Sequence, residues 1–136
     1  MKKTFAKLTS LAIVVIIAAG ALSTISSCTK TNPNAAFLGI YAGNYSTSAG
    51  SSPDTVTISA GSNSSAIVII DRANSTTLNA TVNANTITIP SQSITILGGS
   101  HTTSGSGALT SGTLTIALTT AITGGSFSSG FTGTKQ

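Results

Sequence analysis

Thr113-Leu-Thr-Ile-Ala-Leu-Thr119 sets Leu114, Ile116 and Leu118 at every second position, with Thr or Ala between them. Side chains of an extended strand point alternately to opposite faces, so this spacing makes one apolar face and one hydroxyl-rich face. Wound into a helix, the same residues scatter to both sides and leave no stripe to bury. The stretch predicts a half-buried β-strand.

The same texture continues in both directions. Thr76–Val82 carries Leu78, Ala80 and Val82, and Asp54–Ala60 alternates through Val56 and Ile58. Ala66–Asp71 is a continuous apolar run, predicted to be central or covered on both faces. Thr86–Ile89 and Ser93–Leu97 alternate too, and Pro90-Ser-Gln92 between them reads as a turn. His101–Leu109 is polar and glycine-rich and shows the weakest period. With Phe37–Tyr45 at the start and Ser126–Lys135 at the end, the strands number nine. Short clusters of Gly, Asn and Ser separate them and supply turns.

Short connections pair consecutive strands antiparallel, as a meander. A meander of this length curls, and closing it removes two unpaired edges. The predicted fold class is all-β: an antiparallel up-and-down meander of eight or nine short strands over residues 37–136, forming a closed or half-open barrel. A β-sandwich is the alternative. The aromatic residues favour closure. Phe37, Tyr41 and Tyr45 share one parity near the start, and Phe127 and Phe131 share one parity at the end. Five rings on the two terminal strands make contact only if those strands are neighbours. The expectation is that Tyr41 touches Phe127 or Phe131.

The N-terminus has a different texture. Lys2, Lys3 and Lys7 precede an apolar run over residues 11–22, which is short against the ~20 residues of a membrane-spanning helix. A basic start, a short apolar stretch and small residues after it form a cleavable secretion signal over residues 1–27. A retained short anchor is the weaker alternative. Ile25-Ser26-Ser27-Cys28 resembles the lipobox of bacterial lipoproteins, whose cysteine receives diacylglycerol after cleavage. Cys28 is the only cysteine in the chain, so no internal disulfide forms. The resemblance implies acyl chains on Cys28 and a membrane partner held through them. It also implies a cell-envelope location at the outer membrane, facing the periplasm. Residues 28–36 are then the lipidated cysteine and a flexible polar tether.

Further resemblances are to small Bacteroidota lipoproteins of unknown function, at Gly39-Ile-Tyr-Ala-Gly43, Ile87-Thr-Ile-Pro-Ser-Gln92, Ser104-Gly-Ser-Gly107 and Phe131-Thr-Gly-Thr-Lys-Gln136. Phe37-Leu-Gly-Ile-Tyr41 is similar to the F-x-G-x-W opening strand of lipocalins, with Tyr in place of Trp. Asp54-Thr55-Val56 resembles the O-glycosylation motif of exported Bacteroidota proteins, which makes Thr55 a modification candidate.

The inventory for chemistry is small. The chain has two carboxylate side chains, Asp54 and Asp71, one histidine and no tryptophan. Both aspartates fall beside predicted turns, where Asp is a common turn residue. His101 follows Gly98-Gly-Ser and reads as a solvated turn residue. No G-x-S-x-G elbow, phosphate loop or calcium loop is present, so neither an enzyme nor a metal or cofactor site is expected. Once the signal is removed, Lys30, Arg72 and Lys135 face two aspartates, which leaves no basic patch for nucleic acid. Two functions remain. One is a non-catalytic envelope module, structural or protein-binding, with a filled barrel. The other is a carrier of a small apolar ligand, which needs an interior cavity of ~300 Å³ or more. The many β-branched residues favour the filled module.

Overall fold

Gly39–Thr47 (β1) runs antiparallel to Gly125–Lys135 (β8), with Gly43 opposite Gly133 and Tyr45 opposite Phe131. Between them come Gly50–Ala60 (β2), Ala66–Asp71 (β3), Thr76–Asn83 (β4), Thr86–Ile96 (β5), Gly99–Thr110 (β6) and Thr113–Ile122 (β7). Each strand pairs antiparallel with its neighbours in sequence, so the eight strands form a closed up-and-down barrel and not a sandwich. The structure is a computed structural model that describes residues 32–136. The expected signal segment 1–27, its cleavage residues Ile25, Ser26 and Ser27, and Cys28 lie outside the described residues.

One expected turn is absent. Thr86–Ile89 and Ser93–Leu97 belong to a single strand, β5, and Pro90-Ser-Gln92 is an irregularity in its pairing with β6. Proline has no N–H to give to a ladder, so it disturbs a strand at the point where it sits. Gln92 repairs the damage. Its Oε1 accepts from the Asn79 amide at 2.9 Å and its Nε2 donates to the Asn79 carbonyl at 2.8 Å. A side-chain amide thus replaces the missing backbone partner of β4, and the strand continues where a turn reading would end it.

The opening segment also differs from expectation. Phe37 does not lie on the first strand with Tyr41 and Tyr45. Residues 33–37 form turns, and β1 begins at Gly39, whose φ of +143° breaks the extended run. Residues 32–36, expected as free tether, fold onto one end of the barrel. The Asn34 side chain is buried there, its Nδ2 donating to Ala66 O at 3.0 Å. Phe37 has no exposed surface, and the Tyr41 hydroxyl donates to its carbonyl at 2.9 Å. This segment plugs the end where Ile58, Ile67, Val82, Ile87 and Leu114 converge.

The weak period of β6 has a steric cause. Gly105 faces inward between Ile89 and Leu118, and Gly107 between Ile87 and Ile116. A Cβ on Gly105 collides with the Ala117 carbonyl and reaches 2.9 Å from Leu118 Cδ2. The interior space at those positions is filled from neighbouring strands, so the strand needs no apolar residues of its own there.

Candidate functional site at the open end of the barrel

The end opposite the plug is hollow. A cavity of about 430 Å³ opens there, inside the mouth formed by the ends of β1, β3, β5 and β7 and the starts of β2, β4, β6 and β8. Its wall is mostly apolar: Val56, Ile69 and Leu78 on one side, Ile94, Ile116 and Leu118 on the other. Tyr45, Phe127 and Phe131 add ring surface. Thr47, Asp71, Asn74, Thr76, Thr120 and Ser129 supply polar groups. A second depression of about 390 Å³ along β6, β7 and β8 is walled largely by Ser, Thr, Gly and Ala, and offers a ligand little apolar area.

The register across the seam pairs a different aromatic couple from the expected one, since Tyr41 is not the residue opposite Phe127 or Phe131. Tyr45, half-buried, sits directly opposite Phe131, which is 4% exposed. The Phe131 ring lies along its own strand over Gly133, because a Cβ there would be 2.8 Å from Phe131 Cε1. Gly43 faces Gly133 across the seam and has the Thr132 backbone where its Cβ would stand. Tyr41 lies opposite Lys135, nearer the plug, and Phe127 sits half-buried at the mouth. The terminal strands close the barrel as expected, with Tyr45 as the cross-strand partner of Phe131.

The aspartates, far apart in sequence, are brought together. Asp71 lies opposite Val56, and Asp54 is the next inward residue toward the mouth on β2. The register thus sets Asp54 and Asp71 on neighbouring strands in adjoining inward positions. Asp71 also performs the expected turn role: it accepts from the Asn74 amide at 2.9 Å and from Asn74 Nδ2 at 2.7 Å. Asp54 is no turn residue. It is the fifth residue of β2, 7% exposed, and its Oδ1 accepts from the Thr55 amide at 2.6 Å. Its Oδ2 is buried without a donor. Burial first, and then the neighbouring Asp71 charge, raise its pKa above the usual carboxylate value, against the lowering pull of the Thr55 amide. Sequence spacing held no sign of this pair, because only strand register places residues 54 and 71 in one layer.

Thr103 and Thr120 form a second buried polar contact, facing each other across β6 and β7 with Oγ1 atoms 3.0 Å apart. His101 lies within β6 opposite Ile94, half-buried, where the sequence suggested a solvated turn. Thr55 sits on the outward parity of β2 opposite Ala42 and is half-buried. No group of three or more metal-ligating residues occurs among the described residues. Comparison with protein-family models, curated proteins and solved structures finds no match to this chain.

At the rim, Leu97 is fully exposed and lines the cavity, and its φ is +50°. With Gly98 at +79° it makes the two-residue turn joining β5 to β6. Asn or Gly normally occupies the first of these positions, since a branched apolar side chain is strained in the left-handed region.

Proposed function

We propose that this protein is a lipid-anchored envelope component whose barrel takes up a small, largely apolar molecule at its open end. The observation that carries the binding half is the cavity of about 430 Å³, apolar-walled with a few placed polar groups. That volume falls within the ~300–1,000 Å³ of small-molecule sites. The sequence favoured a filled module, and the plugged half of the barrel is filled in that way. The mouth half is not, and a hollow with apolar walls forfeits dispersion contacts that larger side chains would have made. Support for the anchoring half is the lipobox-like Ile25-Ser26-Ser27-Cys28.

The binding test uses residues 28–136 with Cys28→Ser, which needs no detergent that could occupy the cavity. The barrel and its plug close entirely within residues 32–136. N-phenyl-1-naphthylamine, a neutral fluorophore, is titrated into this chain and into a Ser129→Phe variant. Ser129 is inward, buried and on the cavity wall, so the new ring fills the hollow. Saturable fluorescence enhancement that falls at least tenfold in affinity in the variant is expected. No enhancement, or equal enhancement in both chains, refutes the binding reading. For the anchor, Cys28→Ala in the full precursor is expected to abolish membrane partitioning and block processing. Recovery of that variant in the membrane fraction at the native level refutes it.

A further inference from the structure

We propose that the ligand of this cavity is a neutral, mainly apolar molecule with one hydroxyl or carbonyl group, which Ser129 holds between the Phe127 and Phe131 rings. The proposal rests on the binding reading above and names the ligand's chemistry. Ser129 is an inward residue of β8, with Phe127 and Phe131 two positions away on either side, and all three line the cavity. At ~3.4 Å per residue, the backbone of each aromatic stands about 7 Å from that of the serine. The Phe131 ring leans the other way, over Gly133, so the short serine side chain leaves a notch between the two rings. Leu118 lies across β7 from Ser129, and Thr47 across β1.

The neighbouring polar groups of the wall are already engaged. Thr76 Oγ1 donates to the Asn74 carbonyl at 3.2 Å, and Thr120 shares a hydrogen bond with Thr103 at 3.0 Å. Thr47 Oγ1 accepts from the Ala49 amide at 3.2 Å. Asp71, the one charged side chain on the wall, accepts from Asn74 with both carboxyl oxygens. Ser129 differs. It is 8% exposed, its hydroxyl has no hydrogen-bond partner among the described residues, and its oxygen keeps open surface on the cavity side. Buried hydroxyls are ordinarily hydrogen-bonded, so this one takes its partner from what fills the cavity. A serine hydroxyl both donates and accepts, which suits a hydroxyl or a carbonyl oxygen. No Lys, Arg or His among the described residues lines the wall, so a carboxylate or phosphate would lose its water there without a counter-charge. Tyr45, Phe127 and Phe131 offer ring surface to a flat apolar body beside the polar group.

The test compares 4-phenylphenol, 4-methylbiphenyl and biphenyl-4-carboxylate at pH 7, each displacing N-phenyl-1-naphthylamine from the Cys28→Ser chain. 4-Methylbiphenyl has the shape of 4-phenylphenol and no hydrogen-bonding group. 4-Phenylphenol is expected to bind at least fivefold more tightly, because 4-methylbiphenyl covers the serine hydroxyl without pairing it. The carboxylate is expected to bind more weakly than 4-phenylphenol. Ser129→Ala, with the probe's own affinity measured again, is expected to weaken 4-phenylphenol at least fivefold. 4-Methylbiphenyl should bind that variant as tightly as the native chain or more so, which is the control for folding. Ser129→Cys keeps the side-chain volume with only a weak donor, so it is expected to lose the preference too and serves if the alanine chain does not fold. A preference below fivefold in the native chain overturns this inference alone. So does a preference of fivefold or more that survives substitution of Ser129, or a carboxylate that binds as tightly as 4-phenylphenol. Failure of all three ligands to displace the probe overturns the cavity reading and this inference together.

Discussion

Phe131→Ala tests barrel closure and the depth of the aromatic seam at once. Phe131 is 4% exposed, sits across β1 from Tyr45 and across β7 from Ile116, and covers the Gly43–Gly133 pair. A buried aromatic ring removes about 150 Å² or more from water, which at ~25 cal/mol per Å² is worth ~4 kcal/mol. One side of the ring borders the cavity and lacks partner atoms, so the loss falls toward the lower end of the usual Phe→Ala range, about 3 kcal/mol. In a domain of this length that corresponds to a fall in Tm of roughly 12–15 °C. Urea unfolding followed by far-UV circular dichroism reads it as a lower midpoint at unchanged slope. Phe127→Ala is the control: its ring is half-buried at the mouth, and the cost should be less than half as large. A loss below about 1 kcal/mol for Phe131→Ala, or equal losses for the two variants, refutes the argument that the terminal strands are locked by this ring.

Three other outcomes follow from single features. Leu97→Asn relieves the strained left-handed position and is expected to stabilise the fold by about 1 kcal/mol while weakening probe binding; a thermal melt and the fluorescence titration check the two effects on one sample. Thr103→Val strands the Thr120 hydroxyl and should cost about 1 kcal/mol, whereas Thr103→Val with Thr120→Val should cost less than the sum of the single changes in a double-mutant cycle. Because the folded pKa of Asp54 is raised, the native state holds its proton more tightly than the unfolded chain, so stability is greatest below the unfolded value near pH ~4 and declines as pH rises through the folded pKa. Asp54→Asn should remove that decline and be more stable than the native chain at pH 7, as read from urea midpoints across pH 4–7.

Which elements exist was legible because strand periodicity is local. Leu114, Ile116 and Leu118 announce β7 within seven residues, and Val56 and Ile58 announce β2. Closure was legible because the five rings sit on or beside the two terminal strands. Features that depend on partners were not. Pro90 marks a turn to any local reading, and only the Gln92–Asn79 bonds, thirteen residues apart, let the strand continue. Phe37 shares parity with Tyr41, yet Gly39 ends the extended run between them. Asn34 resembles any polar tether residue until the β2–β3 loop brings the Ala66 carbonyl to it. The site was the least legible part, since Asp54 and Asp71 each look ordinary alone.

The hollow end has a sequence cause that becomes visible once the register is known. Inward positions near the plug are large: Tyr41, Ile58, Ile67, Val82, Ile87 and Leu114. Inward positions near the mouth mix large residues such as Tyr45, Ile94 and Phe127 with many small or polar ones: Thr47, Asp54, Thr76, Thr103, Thr120 and Ser129. In an antiparallel barrel each layer collects the ends of odd strands and the starts of even ones, so this gradient runs along the barrel axis and alternates in direction along the chain. A sliding window averages it away. The gradient is also easy to abolish, because a single Leu or Phe at Ser129 or Thr120 would fill the space and gain apolar contacts. A barrel whose role is only to stand as a scaffold gains nothing from leaving that layer empty or from exposing Leu97 at its rim. The proposed binding site accounts for both, each a local cost in stability placed where a ligand would offset it.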